Sequence, residues 1–303
     1  MRRSVRFLIC APLLAALLAW LPASGKARQP DSEGAVLVFV HGAGAEPERF
    51  DWLATRLEEA GWARQHRFGY DSRAATIEEA ACDLANFVEG IVDIAAGDRL
   101  VVVAHSMGGV ISRFWVERMG GAERAAGMVL LAVPNRGSPA LDTLRLMYEP
   151  GYLDSARLDG RPLSLRQRVV IGAMIATWRR KYGDGAILEL CTDSPLIALL
   201  NSVPLPEGVH YLVAAGTSDG GLLSPYVFMN SMRERLGHPL PQPNDGMVPL
   251  SHALVPPELG ATEEVLVEAN HSSILSEAEL FVTIADFLDT VARESQPAPA
   301  PSQ

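Results

Sequence analysis

The chain has 303 residues, with 26 Lys+Arg against 36 Asp+Glu and a formal net charge of -10. Its 48% hydrophobic and 20% charged residues can build a large core, which argues against a disordered chain. The acidic balance argues against broad nucleic-acid binding, which needs a cationic surface, and three cysteines without a CxxC pair argue against a zinc or iron–sulfur framework.

The charge is unevenly spread. Residues 1–27 hold Arg2, Arg3, Arg6 and Lys26 and no acid, so the rest carries 22 Lys+Arg against 36 Asp+Glu, a net charge of -14. A basic start, an apolar run from Phe7 to Leu21 and then Ala23, Ser24, Gly25 and Ala27 follow the order of a secretory signal peptide. The run has 15 residues and contains Pro12, short of the roughly 20 that a bilayer core needs. Residues 1–27 are therefore read as a cleaved signal peptide and the mature protein as secreted or periplasmic. The alternative is an uncleaved N-terminal membrane anchor.

Residues Ala35 to Val40 form a continuous apolar run of strand length that ends at His41-Gly42-Ala43-Gly44. Ile77, Ala81, Leu84, Phe87, Val88 and Ile91 then recur at steps of three and four, which predicts a helix. Further apolar runs lie at 99–104, 127–133, 210–215 and 264–269, and a second helical pattern joins Leu275, Phe281, Ile284, Phe287, Leu288 and Val291. Continuous rather than alternating apolarity marks strands buried on both faces, and the alternation with helices predicts a mostly parallel sheet flanked by helices. From about 138 to 206 no strand pattern occurs, and helix-like pieces broken by Gly and Pro predict a helical cap or lid insertion. Within it the apolar stretch from Val169 to Trp178 follows Arg166 and Arg168 and precedes Arg179, Arg180 and Lys181. Two readings stay open: a helix buried over the sheet, or a lid whose apolar face meets lipid. Residues 220–243 read as an irregular excursion and 296–303 as a flexible Pro/Ala tail, leaving 28–295 as one α/β domain.

Ala104-His105-Ser106-Met107-Gly108-Gly109 stands where an apolar strand ends and a helical pattern (Val110, Ile111, Phe114, Trp115) begins. A strand–nucleophile–helix turn needs small residues two before and two after the serine, and Ala104 and Gly108 meet that need. The turn lifts the serine Oγ above the sheet edge and sets the Met107 N–H at a helix start, where it can stabilise an oxyanion.

With Val38 to Ala43, this segment resembles the α/β-hydrolase fold, and within it bacterial lipases and esterases with an AHSMGG elbow. Residues 133–139 resemble the segment leading into the cap of such lipases, Asn244 to Pro249 their acid-bearing turn, and Asn270-His271 their histidine loop. The resemblance implies Ser106 as nucleophile, His271 as general base and Asp245 as the acid that orients it, in the expected chain order. Asp219, just beyond the run at 210–215, is the competing acid, with turn formation as its other role. Among the remaining histidines, His41 and His105 read as structural groups of tight turns, and His66 and His210 lie at strand starts, the wrong end of a parallel sheet. His238 lies in a Pro-rich loop, and His252 is a further candidate that comes only seven residues after the acid.

The N–H groups of Ala43 and Met107 are the expected oxyanion donors. Ser272 and Ser273 stand where some related lipases carry acidic calcium ligands, so no metal is expected. No cofactor is implied either, since no dinucleotide fingerprint, phosphate loop or HExxH occurs. Cys82 and Cys191 read either as one bridge or as free thiols. The expectation is an exported serine carboxylic-ester hydrolase acting on acyl esters or lipids, with transient contact to a lipid interface through the cap and no nucleic-acid partner. Its alternatives are an acyltransferase, thioesterase or amidase on the same residues, or a non-catalytic binder of apolar ligands.

Overall fold

All five apolar runs are strands of one parallel sheet. The computed structural model describes residues 5–7, 35–93, 98–221 and 224–294; the rest of the leader read at 1–27 and the tail at 296–303 lie outside the described residues. The strands are β1 (Val5–Phe7), β2 (Ala35–Val40), β3 (Gln65–Phe68), β4 (Arg99–His105), β5 (Ala125–Leu131), β6 (His210–Gly216) and β7 (Glu263–Val267). Their spatial order is β1-β7-β6-β5-β4-β2-β3, and every adjacent pair is parallel. Cleavage of the leader would remove β1 and leave β7 at the edge. β3 escapes the sequence pattern because an edge strand needs little burial, and of its four residues only Phe68 is buried. The run at 127–133 enters the sheet two residues early and leaves it at Leu131.

The continuous runs are explained by burial on both faces. Val36, Val38 and Val40 of β2 join Leu100, Val102 and Ala104 of β4 on one face, under α2 (Ile77–Glu89) and α3 (Met107–Arg118). Leu37 and Phe39 join Val101 and Val103 on the other, under α1 (Asp51–Glu59) and the closing helix α8 (Ala278–Glu294). The helical stripe at Ile77, Ala81, Leu84 and Val88 is buried as its spacing requires, and Thr76 and Glu79 close a capping box at its start.

Between β5 and β6 the chain runs through α4 (Pro139–Tyr148), a two-residue hairpin pair, α5 (Leu165–Tyr182) and α6 (Pro195–Leu200). The reading of Val169 to Trp178 as a helix buried over the sheet is corrected here. Of α5 only Ile171 is fully buried, whereas Leu165, Val169 and Val170 are 80%, 64% and 51% exposed. Ile171, Ile175, Trp178 and Tyr182 supply the inner stripe, and Leu165, Val169 and Val170 at the start of the helix point outward. The irregular reading of 220–243 is corrected too, because α7 (Pro225–Arg235) occupies its middle. That helix starts with a Ser224 cap and Pro225, but it is polar along much of its length and lacks the periodic apolar face that reveals α2 and α8.

Strand order places the switch point between β2 and β4: from β2 the chain goes outward to β3, then returns past β2 to β4 and continues the other way. In open parallel sheets the crevice beyond the carboxyl ends at such a point is where ligands bind. The turn at His41–Gly44 and Ser106 both stand there.

Candidate active site

Ser106 links β4 directly to α3 with φ 52° and ψ -126°, a conformation that L residues hold only when their surroundings impose it. The surroundings are visible. A Cβ on Gly108 would overlap the carbonyl oxygens of Val40 and His41, and one on Gly109 would overlap the side chain of Val133. A Cβ on Gly42 would lie 2.9 Å from that of Ser106. Helix α3 can therefore start against the end of β2 only because these positions are bare. Met107 is its first residue, so the Met107 N–H has no acceptor within the helix.

The second part of the site arrives from residues 244–248. Asn244 Oδ1 accepts the Gly246 N–H at 2.8 Å, and Asp245 Oδ1 accepts those of Met247 and Val248 at 2.8 and 2.7 Å. The other carboxylate oxygen, Oδ2, lies 2.8 Å from Nδ1 of His271. The His271 loop is tied to the same turn by its own N–H, which donates to the Asp245 carbonyl at 2.8 Å. Asn270 Oδ1 accepts the N–H groups of Ser272 and Ser273, so the loop is shaped from both sides. His271 Nε2 ends 2.9 Å from Ser106 Oγ. Asp245 is 1% exposed and His271 8%. An ionised carboxylate only accepts, which sets the proton on Nδ1 and leaves Nε2 to accept from the serine hydroxyl.

The other residues singled out by sequence lie elsewhere. Asp219 accepts from Asn230 Nδ2 at 2.9 Å and does not reach His271. His252 Nδ1 faces the carbonyls of Arg136 and Gly137. His210 pairs with Glu294 at the opposite end of the sheet. His41 bonds the Gly42 carbonyl at 2.9 Å and stacks on Tyr70 at 4.4 Å between centroids. His105 lies under the His271 loop with Nε2 2.7 Å from the His271 carbonyl. Burial holds both imidazoles below their ordinary pKa, His105 well below, so His105 is a neutral donor. Cys82 is exposed and Cys191 buried, each a free thiol, and burial pushes the Cys191 thiol up to about 12, which removes its thiolate.

Ala43, Ser106 and His271 line a cavity of about 380 Å³. Leu141, Ile187 and Leu190 wall it from the helical insertion, and Arg49 and Lys181 stand at its exposed side. Tyr226 and Met229 of α7 complete it. Sequence reasoning missed these two because it missed their helix. Tyr226 Oη and Ser272 Oγ are 2.6 Å apart, and its ring meets that of His271 edge-on at 6.3 Å. No linear motif signals that contact.

A hydroxyl, an imidazole and a buried carboxylate in hydrogen-bonded series can transfer a proton from the hydroxyl as it attacks an acyl carbon, and return it to a leaving group. The fold has known counterparts. The structure is similar to the mature lipase BlEst2 of Bacillus licheniformis, with a TM-score of 0.62 and 17% identity over 86% of this chain and 94% of that one. It is also similar to a metagenomic carboxyl esterase, with a TM-score of 0.51 and 20% identity over 87% and 76% of the two chains. The phospholipase PlaB of Legionella pneumophila matches with a TM-score of 0.51 and 15% identity over 86% of this chain and 64% of that one. At these identities the likeness is one of fold. The family model described as alpha/beta hydrolase family matches residues 37–284, most of the chain, and the chain belongs to that family.

Proposed function

We propose that the protein is an exported serine hydrolase of carboxylic esters with apolar acyl groups. The observation that carries this reading is the unbroken series Ser106 Oγ, His271 Nε2, His271 Nδ1 and Asp245 Oδ2, with spacings of 2.9 and 2.8 Å, on the wall of a cavity that Leu141, Ile187 and Leu190 make apolar on one side. Ser106 Oγ attacks the acyl carbon while His271 Nε2 takes its proton and Asp245 holds the imidazole in the required tautomer. The N–H groups of Ala43 and Met107 stabilise the oxyanion; one such donor is worth about 3–4 kcal/mol of barrier. The C–O bond to the alcohol then breaks, and His271 returns the proton to the departing oxygen. Water repeats the sequence on the acyl-enzyme and releases the acid and free Ser106.

A cavity of about 380 Å³ suits a medium-sized acyl group, within the usual range for small-molecule sites. The outward Val169 and Val170 support contact with a lipid interface, since α5 has Arg166, Arg168, Arg179, Arg180 and Lys181 and no acid. No helix among the described residues is long and apolar enough to cross a membrane. Export rests on the basic and apolar order of residues 1–27, and N-terminal sequencing of the mature protein tests it.

Labelling with a fluorophosphonate tests the reaction class. Wild type should react and Ser106→Ala should not; equal reaction of both, or reaction of neither, refutes the reading. Hydrolysis of esters of increasing acyl length, below and above the concentration at which they aggregate, tests the substrate class. A flat response favouring two-carbon acyl groups leaves a small-ester esterase.

A further inference from the structure

Beyond the main cavity lies a smaller hollow of about 30 Å³. Leu141, Tyr182, Ile187, Met229 and Met247 line both spaces, so the hollow adjoins the space above Ser106. Ala140, Leu144, Met147 and Trp178 extend the apolar wall, and Arg233 of α7 interrupts it.

Arg233 is 4% exposed. Its Nη1 donates to Asn230 Oδ1 at 2.9 Å and to the Gly246 carbonyl at 3.2 Å, whereas Nη2 faces the thioether sulfur of Met247 at 3.8 Å. Among the described residues no carboxylate lies within 4.0 Å of it; Asp219 is reached only through Asn230. The other fully buried arginine is treated differently, because Arg113 is bonded by both oxygens of Glu117 at 2.8 and 3.1 Å. A buried cation left without a counter-ion is costly, and a fork-shaped donor invites a planar two-oxygen anion. Burial lowers the guanidinium to about 10, so it is still charged at neutral pH.

The bonds of Nη1 to Asn230 and the acid-bearing turn explain why an arginine is tolerated here, and Nη2 has the Met247 thioether sulfur, a weak acceptor, as its partner. The hollow has room for about two water-sized spheres, enough for a carboxylate at the end of a chain. Glu46, Arg49 and Lys181 stand at the exposed side of the main cavity, and the smaller hollow adjoins it on the side of Leu141 and Met229.

We infer that Arg233 binds a carboxylate at the distal end of the acyl group, so that the preferred substrates are half-esters of dicarboxylic acids or other acyl esters ending in a carboxylate. The inference rests on the serine-hydrolase reading of Ser106. The aliphatic wall takes the methylene run, and Nη2 takes the terminal oxygens.

The test compares p-nitrophenyl esters of straight-chain monocarboxylic acids with mono-p-nitrophenyl esters of dicarboxylic acids matched in length, from short to long. Wild type should favour the carboxylate-ended member in kcat/KM by about tenfold or more at the length that spans the two spaces. In Arg233→Met the ratio of the two rates should fall to near one, and in Arg233→Lys part of it should return. If Arg233→Met does not fold, inhibition of wild type decides: a free dicarboxylate of that length should compete better than the monocarboxylate. No preference by wild type at any length, or an unchanged ratio in a folded Arg233→Met, overturns the inference. Retained fluorophosphonate labelling with either result sinks this inference alone, whereas absent labelling sinks the hydrolase reading and the inference with it.

Discussion

His105 Nε2 lies 2.7 Å from the carbonyl oxygen of His271, so the residue before Ser106 holds the backbone of the loop that carries His271. The contact joins two segments 166 residues apart and is shielded from water. A hydrogen bond in such a place costs most when one partner is left unpaired.

Replacing His105 with Ala should slow fluorophosphonate labelling by about tenfold or more, because the Ser106–His271 spacing is no longer held. His105→Gln, which keeps a donor for the carbonyl, should recover much of that rate. Equal labelling of His105→Ala and wild type would show that the loop needs no such tether.

Acid should destabilise the fold through the same residue. Burial holds the folded pKa of His105 well below 6.5 and that of His41 below it. The unfolded chain takes up these protons near pH 6.5 while the folded chain does not, so the unfolded state binds more protons as pH falls below that value. Their contribution is thus fully present above about pH 6.5 and is lost on acidification through the window beneath it. The melting temperature of wild type should fall across that window, and the fall should be shallower in His105→Gln. An identical slope in the two proteins counts against this assignment.

The two candidate acids should separate cleanly. Asp245→Asn should cut kcat on the order of 10⁴-fold, because an amide stabilises the wrong imidazole tautomer. Asp219→Asn loses or weakens one bond to Asn230, a change of about 1 kcal/mol in stability, and should keep its labelling. Ester hydrolysis and labelling by the two variants check the pair; a reversed order would move the acid to Asp219.

Gly108→Ala should destabilise the protein by about 1–3 kcal/mol, since its methyl group overlaps the carbonyls that end β2. Chemical denaturation reads the loss. The substitution Gly120→Ala is a control at another glycine, where a Cβ would meet nothing within 4 Å but φ is +81°, so its cost comes from backbone strain alone.

The outward face of α5 gives the last prediction. Val169→Asp with Val170→Asp should lower binding to anionic vesicles and hydrolysis of aggregated ester, while hydrolysis of dissolved short-chain ester persists. A parallel loss on both substrates would tie the two valines to folding instead.

Much of the fold was legible because its determinants are short-range. A strand buried on both faces is apolar at every position, as in β2 and β4, and a helix covering the sheet repeats at three and four, as in α2. The strand–serine–helix turn could be read for the same reason: Gly108 and Gly109, two of the glycines that permit it, lie within a few residues of Ser106. β3 and α7 carried no such mark, since an edge strand and a polar helix owe their form to neighbours far along the chain. The outward turn of Val169 and Val170 was equally hidden, because composition does not say which side of a helix finds a partner.

The sequence by itself therefore indicated five of the seven described strands of the sheet, the elbow at Ser106 and, by resemblance to a family, His271 and Asp245 as its companions. Only the tertiary structure decided that Asp245 rather than Asp219 faces His271, that Tyr226 stands against it, and that Arg233 lies buried with no carboxylate within 4.0 Å among the described residues. Each of those outcomes depends on which side chains meet across long stretches of chain, and burial then sets the energy of every polar group that meets no partner.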